Sequence, residues 1–338
     1  MRTLQVGKNE AGQRLDKLLG KYLDQAPKSF LYKMLRKKNI KLNGKRAQGN
    51  ELLSLGDTLE LYLSEDTISN FQTAACKKGS FVPPVPSVPL DIVYEDAHVL
   101  LLNKPAGMLS QKAKPGDISL VEHLISYLIH SGQLTEEALL TFRPGICNRL
   151  DRNTSGLIAA GKSLCALQDL NVLFQERSLH KYYRCIVAGA LKKPCRAEGW
   201  LRKDERTNQV QIYSQKQGDS LPICTEYMPL GQFQAGGRTF TSLEVNLITG
   251  RSHQIRAHLA SLGHPLIGDS KYGNREINTY FQKQYGLSHQ LLHAYRLELP
   301  MLSQCLEGIS ERVFTAPLPE LFGRIQGESS GPSPCPQK

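Results

Sequence analysis

The stretch NRLDRNTSGL, from Asn148 to Leu157, places one carboxylate between two guanidiniums and continues with Thr-Ser-Gly. The carboxylate belongs to Asp151, and the flanking cations are Arg149 and Arg152. Nearby positive charge favours the ionised form of a carboxyl group, and an ionised carboxylate can act as a nucleophile or as a base. The stretch is therefore the candidate reactive centre of the chain.

Chain length and composition are those of a globular protein with one large domain and one smaller one. The 338 residues exceed an average domain of roughly 150 residues, and 40% hydrophobic with 22% charged residues is enough for a packed core. The first residues lack the apolar core of a secretory signal, and no apolar run approaches the ~18 residues of a membrane span. We therefore expect a cytoplasmic protein with no membrane partner.

The cysteines and histidines give no sign of a metal site. Eight cysteines are scattered along the chain without a Cys-x-x-Cys pair, which is typical of thiols in a reducing compartment and indicates no disulfide framework. The histidines at 253, 258 and 264 lack the one-face spacing of His-Glu-x-x-His zinc sites. We expect no metal and no cofactor.

Positive charge is concentrated at the N-terminal end. The net charge is +11, and residues 1–63 hold 13 lysines and arginines against 6 acidic residues. A basic field of this kind attracts a polyanion, because each neutralised phosphate releases condensed counterions. A solubilising charged face is the alternative that charge alone leaves open.

The same N-terminal residues predict two helices and a hairpin. Leucines spaced as an amphipathic stripe from Leu15 indicate the first helix, Pro27 marks a break, and residues 28–38 indicate the second. The Asn43-Gly44 pair is a hairpin turn signal between short strands. The cations that we expect to follow a phosphate backbone are Lys33, Arg36, Lys37, Lys45 and Arg46.

With its LNGKRA and LLSLGDTLEL segments, this module resembles the small α/β RNA-binding domain named for ribosomal protein S-four, a resemblance that covers about residues 12–63. We expect that domain over 1–63. An extended linker over 64–89 follows, since its prolines fix φ and remove backbone donors. The catalytic domain is expected over 90–322, and a disordered tail without apolar periodicity over 323–338.

The strands predicted after residue 90 mostly follow one another without a regular βαβ alternation, which predicts a mixed, mainly antiparallel sheet. Four motifs come in order after an NKPAG element: NRLDRNTSGL, the Lys-Tyr-Tyr triplet at 181–183, GRSHQIRAHL and GHPLIGDSKYG. Together they resemble the signature of RluA-type pseudouridine synthases, with an N-terminal module as in the RluC/RluD-like architecture. The resemblance implies an α+β fold and an enzyme that isomerises uridine to pseudouridine in RNA.

The resemblance implies catalytic roles for Asp151, Tyr183 and Arg256. Asp151 matches the essential aspartate, and three pathways stay open for it: a bond to the ribose, addition to the pyrimidine, or abstraction of a sugar proton. The ring of Tyr183 can stack on the target uracil and its hydroxyl can transfer a proton, with Tyr182 on the opposite strand face as the alternative. Arg256 matches the arginine that pairs with the aspartate, in a bidentate contact.

Arg149 matches the arginine that, in the family, enters the space of the flipped nucleotide. A planar guanidinium can stack on bases and hold phosphate at once, whereas a simple ion pair with Asp151 is the alternative. The other RNA contacts expected in this domain are Arg152, Lys104, Arg251 and His253, with fixing of their own loop as the alternative for Arg251 and His253.

Two positions depart from the family pattern. Asn148 stands where the motif usually opens with histidine, and Asn153 stands where aspartate is frequent. Asn148 can form hydrogen bonds but cannot carry charge, so we expect no proton transfer there. Asn153 makes the motif more cationic, as a nearby phosphate requires.

The expected partner is structured RNA, and the RluC/RluD-like architecture favours large-subunit ribosomal RNA as the substrate of a monomeric enzyme. Transfer RNA is the alternative substrate. A non-enzymatic RNA-binding or ribosome-assembly protein would tolerate Asp151→Asn, whereas a phosphodiesterase or nuclease would need a metal cluster or a histidine pair.

Overall fold

The computed structural model describes residues 1–72 and 89–327, and within these ranges it forms two separate β-sheets. The N-terminal sheet has the order β1-β4-β2-β3 with antiparallel neighbours. Its strands are β1 (Arg2–Gln5), β2 (Ile40–Leu42), β3 (Lys45–Arg46) and β4 (Thr58–Leu61). Asn43 and Gly44 make the turn between β2 and β3, and both have the positive φ that this hairpin turn needs.

Three helices complete the N-terminal unit: α1 (Leu15–Tyr22), α2 (Lys28–Arg36) and α3 (Glu65–Asn70). The apolar stripes of α1 and α2 pack on the sheet and form a hydrophobic cluster of their own. Leu15, Leu19 and Leu59 are wholly buried in it. Full burial stabilises each such side chain by about 1.5–3 kcal/mol, so these stripes anchor both helices.

Helix α3 occupies residues that we expected to begin an extended linker. The Ser64 hydroxyl accepts a hydrogen bond from the backbone N–H of Thr67 at 3.2 Å, which caps the helix. Ile68 is buried in the N-terminal cluster. This local capping and packing extend the N-terminal unit past residue 63, and the proline-rich remainder of the expected linker lies outside the described residues.

The second sheet confirms the expected mixed, mainly antiparallel α+β fold. Its main path runs β11-β10-β12-β13-β9-β14-β8-β6-β5, with β15 beside β14 and β7 beside β8. Only the β8–β14 pair is parallel among the strands described. The strands are β5 (Ile92–Glu95), β6 (Val99–Lys104), β7 (Gly145–Ile146), β8 (Ser155–Gly161), β9 (His180–Ala188), β10 (Cys195–Asp204), β11 (Gln209–Tyr213), β12 (Leu221–Ala235), β13 (Arg238–Asn246), β14 (Leu292–Glu298) and β15 (Val313–Thr315).

Five α-helices and two short 3-10 helices pack around this sheet in the part of the chain that is described. They are α4 (Leu120–His130), α5 (Leu164–Glu176), α6 (Gln254–Ser261), α7 (Arg275–Tyr285), α8 (Glu320–Gln326), and the 3-10 segments Glu137–Leu140 and Gln304–Ile309. No helix of the described chain is both long and apolar enough to cross a membrane.

Two helix boundaries depend on local conformation and packing. Helix α6 begins at Gln254, because His253 before it has φ +53°, in the left-handed region. Helix α8 runs past residue 322, where a disordered tail was expected to begin, because Ile325 packs in a cluster with Phe322. Residues 328–338 lie outside the described chain.

The two faces of β9 serve different packing layers. Tyr183, Cys185 and Val187 face the cluster that includes helix α4, while Ile186 faces α7 and α8. This alternation is the ordinary period of a strand, and it decides which of two adjacent tyrosines turns toward the functional face.

One close approach positions the NRLDRNTSGL stretch against the sheet. Gly156 has φ +113°, and a Cβ atom there would lie 2.2 Å from the backbone oxygen of Ala294. Only glycine adopts this conformation and leaves this space without strain. The stretch therefore leads directly into β8 beside β14.

One pair of cysteines contradicts the expectation of free thiols. Cys165 in α5 and Cys305 in the second 3-10 segment form a disulfide, with their Cα atoms 6.5 Å apart. The two residues are 140 positions apart in the chain, so their spacing carried no sign of the pairing.

Candidate active site

Asp151 lies in an open cleft of about 940 Å³ on the side of the sheet that Tyr183 faces. Its side chain is 27% exposed, so one part is held by protein and another faces the cleft. Residues from α5, β9 and the loops before β8, α6 and α7 line the same space. The cleft thus brings together segments that are more than a hundred residues apart in the sequence.

Arg256 connects the reactive carboxylate to a second, buried carboxylate. Its Nη1 donates to Asp151 Oδ2 at 2.8 Å, and its Nε and Nη2 donate to the two oxygens of Asp269 at 2.7 and 2.9 Å. Arg256 is 5% exposed and Asp269 is wholly buried. The expected bidentate contact is therefore made with Asp269, whereas Asp151 receives a single bond, because the third nitrogen is all that remains.

Asp269 is a site residue that our sequence interpretation missed, although it lies in the quoted GHPLIGDSKYG motif. Its oxygen Oδ1 also accepts the backbone N–H groups of Lys271 and Tyr272. Burial by itself would raise the pKa of Asp269, but Arg256 and these N–H groups hold that pKa below its ordinary value. Asp269 is thus an ionised anchor for the guanidinium that faces Asp151.

Tyr183, and not Tyr182, turns toward the cleft. Its β9 position pairs with Val245 on one side and Ala294 on the other, and its side chain lines the cleft with Asp151. Burial, and secondarily the negative charge of Asp151, raise the pKa of the Tyr183 hydroxyl well above its usual range. Tyr182 lies on the opposite face, where the Arg296 guanidinium covers its ring at 3.9 Å.

The two arginines beside Asp151 are exposed at the cleft. Neither Arg149 nor Arg152 forms an ion pair with Asp151 among the described residues, so the simple pairing considered for Arg149 is not observed. Arg152 Nε donates to the Gly107 carbonyl at 3.0 Å. Arg149 is exposed and lines the cleft.

The expected RNA contact at Lys104 is wrong, because this side chain is wholly buried. Its Nζ donates to the carbonyls of Pro105, Met108 and Arg152 at 2.9, 2.9 and 3.0 Å. Burial lowers the pKa of Lys104 to about 7, with the charge of Asp151 opposing that shift. Lys104 therefore ties the NKPAG loop to the loop that carries Asp151.

Asn148 fixes the start of the reactive stretch to β8. Its Oδ1 accepts the Ala159 N–H at 2.8 Å, and its Nδ2 donates to the Leu157 carbonyl at 3.1 Å. Ser110 Oγ contacts the Leu150 carbonyl at 2.7 Å, so the backbone beside Asp151 is also held. Asn148 therefore has a structural role, which its uncharged amide group fills through these hydrogen bonds.

His253, for which we had expected an RNA contact or a role in fixing its loop, lies beside the Asp151 carboxylate. Its Nδ1 is 2.9 Å from the Tyr272 hydroxyl oxygen, and its Nε2 is 3.9 Å from Asp151 Oδ2. Burial lowers the pKa of His253, while the charge of Asp151 opposes this change. Arg251 lines the cleft, and its Nε has no hydrogen-bond partner in the described part of the chain.

The five N-terminal cations that we singled out are all exposed. They lie on the outer side of α2, at its C-terminal end, and on β3. The residues are Lys33, Arg36, Lys37, Lys45 and Arg46.

One group of donor atoms in the described chain has the proximity that a metal site needs. Atoms of Cys165, Asp169 and Cys305 lie within 4.8 Å of one another. The two sulfurs are bonded to each other, so neither is free to coordinate. None of the three residues lines the cleft.

Comparison with known proteins shows the family of this chain. Residues 98–261 match the family model described as RNA pseudouridylate synthase. The chain is 30% identical over 314 residues to ribosomal large subunit pseudouridine synthase C of Vibrio vulnificus, covering 89% of this chain and 90% of that relative. The chain therefore belongs to the RNA pseudouridine synthase family, the isomerases that convert uridine to pseudouridine in RNA.

More particular relatives point within that family to the RluC/RluD-like members that we expected. Ribosomal large subunit pseudouridine synthase D of Nitrosomonas europaea is 31% identical over 323 residues, covering 94% of this chain and 84% of the relative. Among solved structures, human RNA pseudouridylate synthase domain containing 1 has a TM-score of 0.51 and 21% identity, covering 74% of this chain and all of that one. That structural likeness supports the fold alone.

Proposed function

We propose that this enzyme isomerises uridines of large-subunit ribosomal RNA as a cytoplasmic monomer, with Asp151 as the reacting carboxylate. The single observation that carries the role of Asp151 is its placement in the cleft under the Arg256–Asp269 pair, at 2.8 Å from Arg256. The choice of ribosomal RNA is supported by the names of the relatives, which are ribosomal large subunit synthases.

The geometry gives the two oxygens of Asp151 different tasks. Oδ2 accepts from Arg256, which stabilises the ionised carboxylate and limits its rotation. Oδ1 has no protein donor in the described chain and is therefore the oxygen available to the substrate. Addition to ribose, addition to the pyrimidine and abstraction of a sugar proton all require an ionised carboxylate, and all three stay open.

Tyr183 provides the site with an aromatic ring for stacking and a hydroxyl group for proton transfer. An aromatic ring in the cleft can stack on an extruded uracil, because every base presents a π-face. Its raised pKa keeps the hydroxyl protonated at neutral pH, so this group acts as a proton donor or as a hydrogen-bond partner, and not as a base.

Arg149 is suited to replace the extruded nucleotide in the RNA stack. Extrusion costs a few kcal/mol of lost stacking and pairing, and a planar guanidinium can recover part of it by stacking while it holds phosphate. The absence of an ion pair with Asp151 in the described chain leaves Arg149 available for that task.

The N-terminal unit is the proposed anchor for structured RNA. The exposed lysines and arginines of α2 and β3 lie on a module with its own hydrophobic cluster, separate from the large sheet. We assign this unit to residues 1–72, with the catalytic unit over 89–327, since α3 packs with the N-terminal cluster.

The direct test is tritium release from ribosomal and transfer RNA transcripts labelled at uridine C5. Asp151→Asn is expected to lower the single-turnover rate by about a thousandfold or more while RNA affinity is retained. Asn148→Ser serves as a control for disturbance of the same stretch and is expected to keep a measurable rate. Full activity of Asp151→Asn, or release from transfer RNA alone, would contradict the proposal.

A further inference from the structure

A chain of polar contacts leads from a backbone amide to the reactive carboxylate. The Val210 N–H donates to the Tyr272 hydroxyl oxygen at 2.9 Å. That oxygen lies 2.9 Å from His253 Nδ1, and His253 Nε2 lies 3.9 Å from Asp151 Oδ2. The histidine ring therefore lies between the fixed phenol of Tyr272 and the Oδ2 atom of Asp151.

The donors and acceptors of this chain favour one histidine tautomer. Tyr272 already accepts from Val210, and in the described part of the chain its own hydrogen has His253 Nδ1 as its acceptor. A neutral imidazole carries one proton, so an accepting Nδ1 places that proton on Nε2. The Nε2–H group is the one that faces Asp151.

The backbone of His253 is held in a conformation that its side chain does not favour. Its φ of +53° lies in the left-handed region, which a glycine would adopt without cost. This conformation turns the ring between Asp151 and Tyr272 and ends the loop just before α6. Strained residues of this kind concentrate at functional sites.

Resting on the proposed reaction at Asp151, we propose that His253 is a positioning residue that holds Oδ2 of Asp151 through Nε2–H, with Tyr272 selecting the tautomer. Arg256 and His253 then converge on the same oxygen, and Oδ1 is directed to the substrate. At 3.9 Å the two atoms are beyond hydrogen-bond distance, so this role requires them to approach each other in the substrate complex, as catalytic contacts commonly do.

Burial lowers the pKa of His253, and the charges that face the ring are of both signs, so the ring is not forced into the imidazolium form. Asp151 and Asp269 face it with negative charge, and Arg256 and Lys271 with positive charge. Arg256 is already committed to both carboxylates. A neutral donor is therefore the form that completes the contact with Oδ2.

The test compares His253→Gln, His253→Leu and Tyr272→Phe in single-turnover assays. Glutamine and leucine have similar size and share the backbone strain, but only glutamine carries an N–H donor near the place of Nε2. His253→Leu is expected to lower the rate constant about 10–100-fold, the worth of one hydrogen bond to a charged group, with unchanged RNA affinity. His253→Gln is expected to recover most of that loss.

The pH dependence of Tyr272→Phe distinguishes selection of the His253 tautomer from a purely structural role of Tyr272. Without the phenol the neutral ring can place its proton on either nitrogen, whereas the imidazolium always carries a proton on Nε2. The activity of Tyr272→Phe relative to wild type is therefore expected to rise as the pH falls through the titration of His253. His258→Gln, in a buried histidine of α6 that does not line the cleft, is the matched control and should retain the wild-type rate.

The inference is overturned if His253→Leu keeps the wild-type rate, or if His253→Gln is as impaired as His253→Leu. A flat pH ratio for Tyr272→Phe would contradict the role of the tautomer. These failures are distinct from failure of the proposed function, which Asp151→Asn tests separately on the same substrates.

Discussion

At the scale of single residues, the site is a carboxylate whose geometry is set by other buried polar groups. Asp151 faces the cleft, Arg256 holds one of its oxygens, and Asp269 holds Arg256. An unpaired arginine in this buried position would be costly, because desolvation of a charge has to be offset by a partner. Asp269 is therefore as necessary to the geometry as the arginine that it holds.

Asp269→Asn is expected to weaken both stability and catalysis. The amide group presents donors to the guanidinium, which leaves Arg256 partly uncompensated, and removing one partner of a buried pair costs about 3–5 kcal/mol. We expect urea unfolding to show a loss of this order and single-turnover rates to fall at least about tenfold. The matched control is Glu276→Gln, which breaks the exposed Arg238 pair and should change neither value appreciably.

The same substitution has a defined pH signature. The folded-state pKa of Asp269 lies below its unfolded value, so its contribution is complete above the unfolded pKa and is lost as pH falls through the folded one. Asp269→Asn should thus lose least stability, relative to wild type, in acid. A stability difference that does not change between neutral and strongly acidic pH would contradict this assignment.

Residue types and motif order were sufficient to predict Asp151, Tyr183 and Arg256 as cleft residues, but not the partners that hold them. The match to the Lys-x-Tyr triplet favoured Tyr183 over Tyr182, and the strand period requires only that the two side chains face opposite ways; Tyr183 is the one that lines the cleft. Lys104 was expected to contact RNA, and His253 either to contact RNA or to fix its loop. Their real neighbours lie 48 and 102 positions away in the chain, at Arg152 and Asp151, and sequence spacing does not reveal such contacts.

At the scale of elements, the parallel contact of β8 with β14 holds the reactive loop in place. The pairing joins Ser155 with His293 and Gly156 with Ala294, and Ser155 Oγ lies 2.8 Å from His293 Nδ1. Burial lowers the pKa of His293 to about 4, so the neutral ring is kept in the core. Two strands distant in sequence thereby fix the residues that follow Asp151.

Gly156→Ala is expected to disrupt this contact. The new Cβ would meet the Ala294 backbone, and the positive φ adds strain, so we expect a loss of about 3 kcal/mol or more of unfolding free energy with reduced turnover. Gly231→Ala is the matched control, because Gly231 lies in β12 of the same sheet with open space around its Cβ position. Equal unfolding midpoints for the two variants would show that the close approach is unimportant.

Element types were largely predictable, while their ends depended on tertiary packing. The capping box at Ser119 and Glu122 marks the start of α4, where the Glu122 carboxylate accepts the Ser119 N–H at 3.0 Å. By contrast, α3 appears where prolines nearby suggested an extended chain, because Ile68 gains burial in the N-terminal cluster. The burial of Ile68 depends on the N-terminal residues that pack around it and not on the sequence of its own segment.

At the scale of the whole molecule, a basic N-terminal unit accompanies a catalytic unit with one large sheet. The separate hydrophobic clusters of the two units are consistent with a division of work between RNA anchoring and isomerisation. The charge asymmetry was visible in composition, since residues 1–63 carry 13 basic and 6 acidic residues. The cysteine pair was not visible, because its partners come together only when α5 packs near the C-terminal segment.

The anchoring role predicts a change in salt dependence. Replacing Lys33 and Lys37 by glutamine should weaken RNA binding and reduce the slope of log affinity against log salt by about 1.8, at roughly 0.9 per lost phosphate contact. The control replaces Lys192 and Lys193, two exposed lysines of the catalytic unit, by glutamine. An equal change of slope in both double variants would indicate a general charge effect and would remove the assigned role from α2.

The most direct measurement is a map of pseudouridine in ribosomal and transfer RNA from cells that lack this protein, read by carbodiimide-dependent reverse-transcription stops. Cells are complemented with wild type or with Asp151→Asn. We predict that one or more sites in large-subunit ribosomal RNA disappear in the deletion and return only with the wild-type protein. An unchanged map, or restoration by Asp151→Asn, would contradict the assignment of Asp151 as the reacting carboxylate of a ribosomal RNA pseudouridine synthase.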